Sequence, residues 1–140
     1  MADHLSIFLE NKPGKLEKVT HVLADANINI HFISVASLGE FGVIKTIVDK
    51  PDIAHKALKE HHFTVSQKKI LIAAIDDRPG NLHELLALFS ENDINIEDCY
   101  GFPIKEQGKV GIVIEADAYP KIETVLASHH IHCIDLNEIT

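Results

Sequence analysis

Two short loops in this chain contain residues that could bind the carboxylate of a small polar molecule. The first is centred on Pro13 and Gly14, and the second on Pro79 and Gly80. Proline fixes φ and lacks an N–H group, and glycine lets the backbone approach a ligand closely. An apolar stretch with helical spacing follows each loop, so the first amide groups of a helix should be unpaired there. These amides carry the positive end of the helix dipole, which favours a bound carboxylate.

Both loops lie within the same predicted order of elements. A strand precedes each loop, an amphipathic helix follows, and Ile-Asn-Ile then opens the next strand at 28–30 and 94–96. Each half completes a βαββαβ order, which predicts an α+β fold of two ferredoxin-like modules in tandem. Each module should be a four-stranded antiparallel sheet with two helices on one face. We place the modules at 1–66 and 70–140, joined by a short linker at 66–69.

The apolar residues of the four predicted helices recur at helical spacing and should face the two cores. We also expect Asn27 and residues 92–93 to end helices, because Asn tolerates the left-handed conformation. The repeat keeps both the loop residues and the apolar phase, which indicates duplication of one module. The predicted core residues of the helices are Leu16, Val19, Val22, Leu23, Ala26, Ile53, Ala54, Ala57, Leu58, Leu82, Leu85, Leu86, Phe89, Ile122, Val125 and Leu126.

The composition narrows the classes of function. The formal net charge of −8 disfavours binding to a phosphate backbone. Two cysteines, Cys99 and Cys133, give no disulfide framework and suit a reducing compartment. The sequence contains no signal-like segment and no apolar run long enough to span a bilayer. We therefore expect a soluble cytoplasmic protein without a membrane partner.

These motifs resemble the ACT domain, a small regulatory module that binds amino acids. Residues 77–80 through 94–96 fit its pattern of an acidic or Asn residue, a Pro-Gly loop, an amphipathic helix and Ile-Asn-Ile. Residues 11–14 through 28–30 fit equally well. The resemblance covers the chain as two modules and leaves no catalytic domain over. It implies a free-standing tandem ACT protein rather than an enzyme with an ACT tail. We predict that the chain is not an enzyme and has no cofactor and no metal site.

The resemblance also implies where the ligand lies. Asn11 and Asn29 in the first module, and Asp77 and Asn95 in the second, should hold the amino and carboxylate groups of an amino acid. Asp77 suits an ammonium group better than Asn11 does. The remaining implied ligand-binding residues are Pro13, Gly14, Lys15, Leu16 and Ile30 in the first module and Pro79, Gly80, Asn81, Leu82 and Ile96 in the second.

The implied partners are a free amino acid, a second copy of the chain in a homodimer, and a regulated enzyme or transcription factor. Exposed strand edges favour such side-by-side pairing of sheets. The mostly apolar start of the second strand favours an apolar amino acid. We expect no nucleic-acid partner.

Two alternatives stay open at this stage. RNA-recognition domains share the βαββαβ order, although the third strands at 43–48 and 110–114 lack the aromatic residues on which bases stack. The histidines at 61–62 and the His/Cys segment at 129–133 suggest a small metal-binding or enzymatic protein. However, neighbouring strand residues face opposite sides, which would separate Cys133 from the histidines before it. His61 and His129 also suit the ends of helices, where the dipole favours a cation.

Overall fold

The computed structural model describes residues 1–139 of the chain. Within that range the protein contains four α-helices and seven β-strands, and it divides into two compact units. The first unit is Asp3–Lys68, and the second is Lys69–Thr140 together with Met1–Ala2. The predicted α+β class with two ferredoxin-like modules is confirmed.

The first unit has the βαββαβ order. Its elements are β1 (Ala2–Glu10), α1 (Lys15–Asp25), β2 (Ile30–Leu38), β3 (Phe41–Val48), α2 (Pro51–Glu60) and the start of β4 (Thr64–Asp76). The strands are ordered β2-β3-β1-β4, so β2 lies at an edge of the sheet. The antiparallel register of β1 and β3 places Ile7 opposite Ile44. Their side chains share one sheet face with Leu5 and form the core with Val19 and Leu23 of α1.

The second unit repeats this order. The rest of β4 is followed by α3 (Asn81–Glu91), β5 (Asp98–Pro103), β6 (Lys109–Glu115), α4 (Tyr119–Ser128) and β7 (His132–Cys133). The strand order is β7-β4-β6-β5, and a short 3-10 helix, Leu136–Glu138, follows β7. Leu71 and Ala73 of β4 pack against Leu85, Phe89 and Leu126 of the two helices. In both modules a Pro-Gly loop joins the end of the first strand to the start of the first helix.

All four helices end at a residue with positive φ. These residues are Asn27, His62, Asp93 and His130, with φ between 55° and 66°. In each case the next amide donates to a carbonyl five residues back, as Ile28 does to Leu23 at 2.9 Å. This is the 6→1 bond of the Schellman motif, which satisfies carbonyls at the end of a helix. The predicted helix ends at Asn27 and at 92–93 are confirmed.

Four of the predicted core residues are exposed, so those predictions are wrong. Leu16, Leu82, Leu86 and Ile53 expose 40%, 43%, 36% and 53% of their surface. The buried stripe of a helix holds only three or four residues per two turns. In α3, Leu85 and Phe89 fill that stripe, and Leu82 and Leu86 form the neighbouring row.

Three predicted boundaries are also corrected. Residues 66–69 are not a linker but lie inside β4, because their backbone continues the strand between buried Val65 and Ile70. Residues 94–96 do not begin a strand, since β5 starts at Asp98. The last strand of the second predicted βαββαβ order contains only two residues, His132–Cys133. Thr140 lies outside the described residues.

Candidate ligand-binding loops and adjoining grooves

The two Pro-Gly loops have the same backbone conformation. Gly14 and Gly80 precede their helices with φ of 84° and 85°. Only a residue without Cβ adopts this region at no steric cost. The loops also share their hydrogen bonds, because the amide of Lys15 donates to Lys12 and that of Asn81 donates to Arg78, both at 3.2 Å. The duplicated sequence therefore produces a duplicated turn.

Each loop leaves amide groups at the helix start without an acceptor. The amides of Lys18 and Glu84 are the first to close a helical turn, onto Gly14 and Gly80 respectively. Neither helix has a side-chain cap. Within residues 1–139, the two amides that precede each of these have no hydrogen-bond acceptor; they are the amides of Leu16, Glu17, Leu82 and His83. Such groups are available to an anion.

The residue at the start of each loop differs in what it contacts. The Asn11 side chain donates to Ser37 Oγ at 2.9 Å and to the Gly39 carbonyl at 3.2 Å. Its counterpart Asp77 is exposed, and in the described part of the chain its carboxylate has no hydrogen-bond or ion-pair partner. The second loop therefore has a free carboxylate near unpaired backbone amides. In the first loop the side-chain amide of Asn11 is already hydrogen-bonded to Ser37 and to the β2–β3 turn.

The two asparagines of the Ile-Asn-Ile segments are exposed. Asn29 is held through its backbone, since its amide donates to Asp49 Oδ1 at 2.9 Å and its carbonyl accepts from the Asp49 amide at 3.1 Å. The side chains of Asn29 and Asn95 have no partner among residues 1–139. Ile30 and Ile96 are half-buried, and only Ile30 lies in a strand.

A groove lies beside each loop, on the side where the second helix of the module ends. The first groove has a volume of about 480 Å³ and the second about 600 Å³. Both run from the end of the first strand, past the first helix, to a pair of histidines. Of the predicted site residues, Lys15 lines the first groove and Asn81 the second. The asparagines of the second strands line neither.

Sequence reasoning missed these histidines as parts of a groove. His61 and His62 line the first, and His129 and His130 line the second. His61 Nδ1 and His129 Nδ1 lie 2.8 and 3.0 Å from the carbonyls of the residues four positions earlier. In the Nδ1–H form each ring donates to the end of its helix. The signal that could have identified them is their equivalent position after the second helix of each module.

Ion pairs fix the charges around both loops. Glu10 Oε2 lies 2.7 Å from Lys12 Nζ, and this hydrogen bond lowers the pKa of the Glu10 carboxyl. In the second module Asp76 Oδ1 lies 2.9 Å from Lys109 Nζ, which lowers the pKa of the Asp76 carboxyl in the same way. Because Glu10, Lys12 and Asp76 are exposed and Lys109 is only half-buried, these pairs add little to the stability of the fold.

The described range contains neither a cluster of metal-ligating side chains nor a helix that could cross a bilayer. No three side chains of the types His, Cys, Asp or Glu are grouped to hold a metal ion there. Within residues 1–139, the four helices are also too short or too polar to cross a bilayer.

Residues 1–140 match a family model that is described as an ACT domain pair. The chain belongs to this family. The ACT domain pair is a regulatory module, which gives the chain a regulatory role. No curated protein matches the chain.

Several solved structures resemble this ACT domain pair. Protein BT0572 from Bacteroides thetaiotaomicron is 36% identical, with a TM-score of 0.88, and the match covers 95% of this chain and 91% of that chain. The regulatory subunit of aspartate kinase from Thermus thermophilus is 18% identical, with a TM-score of 0.66 and coverage of 91% and 90%. A structure of aspartokinase alpha and beta subunits is 17% identical, with a TM-score of 0.64, and the match covers 91% of this chain and 91% of that chain. The last two matches show the shared fold.

Proposed function

We propose that this ACT domain pair binds a free amino acid at its Pro-Gly loops and thereby regulates an enzyme or transcription factor. One ACT domain would be residues 1–66 and the other 70–140. The observation that carries the proposal is the pair of glycine-capped helix starts with unpaired amides at 16–17 and 82–83. These groups can hold the α-carboxylate of the ligand.

The second module has the more complete set of groups for an amino acid. An ammonium group requires an acceptor, and the carboxylate of Asp77 is free to accept. Asn95, exposed and unpaired, supplies both a donor and an acceptor. In the first module Asn11 is already bonded to the β2–β3 turn. The second module should therefore bind more tightly than the first.

The edge strand β2 supports homodimer formation. Ile33, Val35 and Leu38 of this strand expose 38%, 52% and 68% of their surface. A long edge strand with apolar side chains and unpaired backbone groups tends to pair with another strand. Pairing of β2 with β2 of a second copy would satisfy the backbone groups of the edge, bring these side chains into contact across the new strand pair and form an isologous dimer. Because Ile30 opens this strand, the dimer would lie next to the proposed ligand site of the first module.

A thermal-shift screen of the full chain against the proteinogenic amino acids tests the proposal. A ligand that binds only the folded state raises the melting temperature. The Asp77→Asn variant should show a smaller shift at equal ligand concentration, because it keeps the size of the side chain and removes its charge. Asp117→Asn is the matched control, since Asp117 is also an exposed Asp just before a helix. No shift with any amino acid, or an undiminished shift in Asp77→Asn, would contradict the proposal.

A further inference from the structure

The first groove combines aromatic side chains with cations. Phe8, Phe41 and Phe63 line it, and the first two expose 48% and 61% of their surface. The cationic lining residues are Lys15 and Lys18, from the first turns of α1. The lining of the first groove therefore includes both aromatic residues and two positive charges.

The positive charge in this groove is not neutralised by residues 1–139. Glu10 is the only acidic residue among those that line the first groove, and its carboxylate is paired with Lys12. Lys18 makes no ion pair among residues 1–139. Since Lys15 interacts with the same glutamate only at longer range, the groove retains an excess of positive charge.

The second groove is an internal reference with the opposite charge. The residue at the position of Lys18 is Glu84, and its carboxylate pairs with Arg78 at 2.9 Å. Asp76 is paired with Lys109, and Glu91 adds a further negative charge to the lining. The same groove has therefore been kept in both modules, but an anion would be attracted only to the first.

We propose that the first groove is a separate binding site for a small organic anion with an aromatic body. Lys18 would hold the anionic group together with Lys15, and the three phenylalanines would contact the aromatic ring. The volume of about 480 Å³ lies in the range of small-molecule sites. The site shares Lys15 with the proposed amino-acid site but differs from it because neither Asn11 nor Asn29 lines it.

Calorimetric titration of the full chain with matched probes tests this proposal. 3-Phenylpropanoate carries the anion and the ring, while 3-phenylpropan-1-amine carries the same ring and the opposite charge. Because the amides of the proposed amino-acid site can also hold a carboxylate, the variants and the NMR titration below identify the site that binds the acid. We expect the acid to bind at least about tenfold more tightly than the amine, which corresponds to one charge-assisted contact. Equal affinities, or no binding of the acid, would overturn the proposal.

A charge-reversal variant locates the site. Lys18→Glu should weaken binding of the acid by about tenfold or more, and Lys18→Gln should weaken it less. The first variant should fold, because Glu84 occupies the same position in α3 and acidic residues are favoured near helix N-termini. Lys56→Glu, an exposed position on α2, is the control. Equal losses in Lys18→Glu and Lys56→Glu would indicate only a long-range charge effect and would contradict the assignment.

NMR titration with the acid gives a second readout. The amide signals of His62 and Thr64, which line the first groove, should shift on titration. The dissociation constant from these shifts should equal the one from calorimetry. Shifts confined to Asn29 and Ile30 would place the probe at the Ile-Asn-Ile segment and overturn the assignment to the groove.

Discussion

Replacement of Gly80 by alanine should destabilise the protein by strain alone. Gly80 has φ of 85°, and a Cβ atom built there meets nothing within 4 Å. An L-residue in the left-handed region costs about 1–2 kcal/mol. The loss of unfolded-state entropy on replacing glycine returns about 0.4–1 kcal/mol. We therefore expect a net loss of about 1 kcal/mol in the free energy of unfolding.

Two further variants separate strain from steric overlap. Gly80→Asn should cost less than Gly80→Ala, because Asn tolerates this conformation and Asn27 adopts φ of 56° in this chain. Gly111→Ala should destabilise through contact, since its Cβ would lie 2.9 Å from Ile104 Cγ2 and 3.1 Å from Ile72 Cγ2. Urea denaturation followed by circular dichroism measures all three. If Gly80→Ala were as stable as the unmodified chain, the strain argument would be refuted.

Three further predictions concern helix ends, packing and pH. His130→Gly should raise the melting temperature by a few degrees, because glycine adopts φ of 56° without a Cβ penalty; a lower value would contradict this. Leu126→Ala should cost about 2–5 kcal/mol in urea denaturation, because its side chain is fully buried, whereas Leu86→Ala at 36% exposure should cost far less. The hydrogen bond from His132 lowers the pKa of Glu138 below 4.5, so its stabilising effect should be lost as pH falls through that lowered value; in His132→Ala, an NMR titration that showed no rise of the Glu138 pKa would refute this.

The fold was predictable from the sequence because the signals that determine it are local. Proline, glycine and the apolar phase recur with the same spacing in both halves, and the helix ends at Asn27 and Asp93 follow from local backbone preference. The exposure of Leu82 was not predictable in this way. Whether a residue at the border of the apolar stripe is buried depends on how the helix is rotated against its sheet, and one sequence does not contain that angle.

The grooves could not be predicted for a similar reason. Lys18 lies in α1 and His61 directly follows α2, far away in the sequence, yet both line the first groove. Their proximity follows from tertiary packing of α1 and α2 on one sheet. The identity of the loop residues was accessible, whereas the difference between a bonded Asn11 and a free Asp77 required the hydrogen bonds of the β2–β3 turn.

We propose above that the amides exposed by the Pro-Gly loops bind an amino acid. The most direct measurement is an NMR titration of the full chain with the amino acid that gives the largest thermal shift. We expect the amide signals of Leu82 and His83 to shift on saturation with the ligand. We also expect Asp77→Asn to raise the dissociation constant about tenfold. If these two signals did not shift while others did, the ligand would bind elsewhere, which would contradict binding at the Pro-Gly loop.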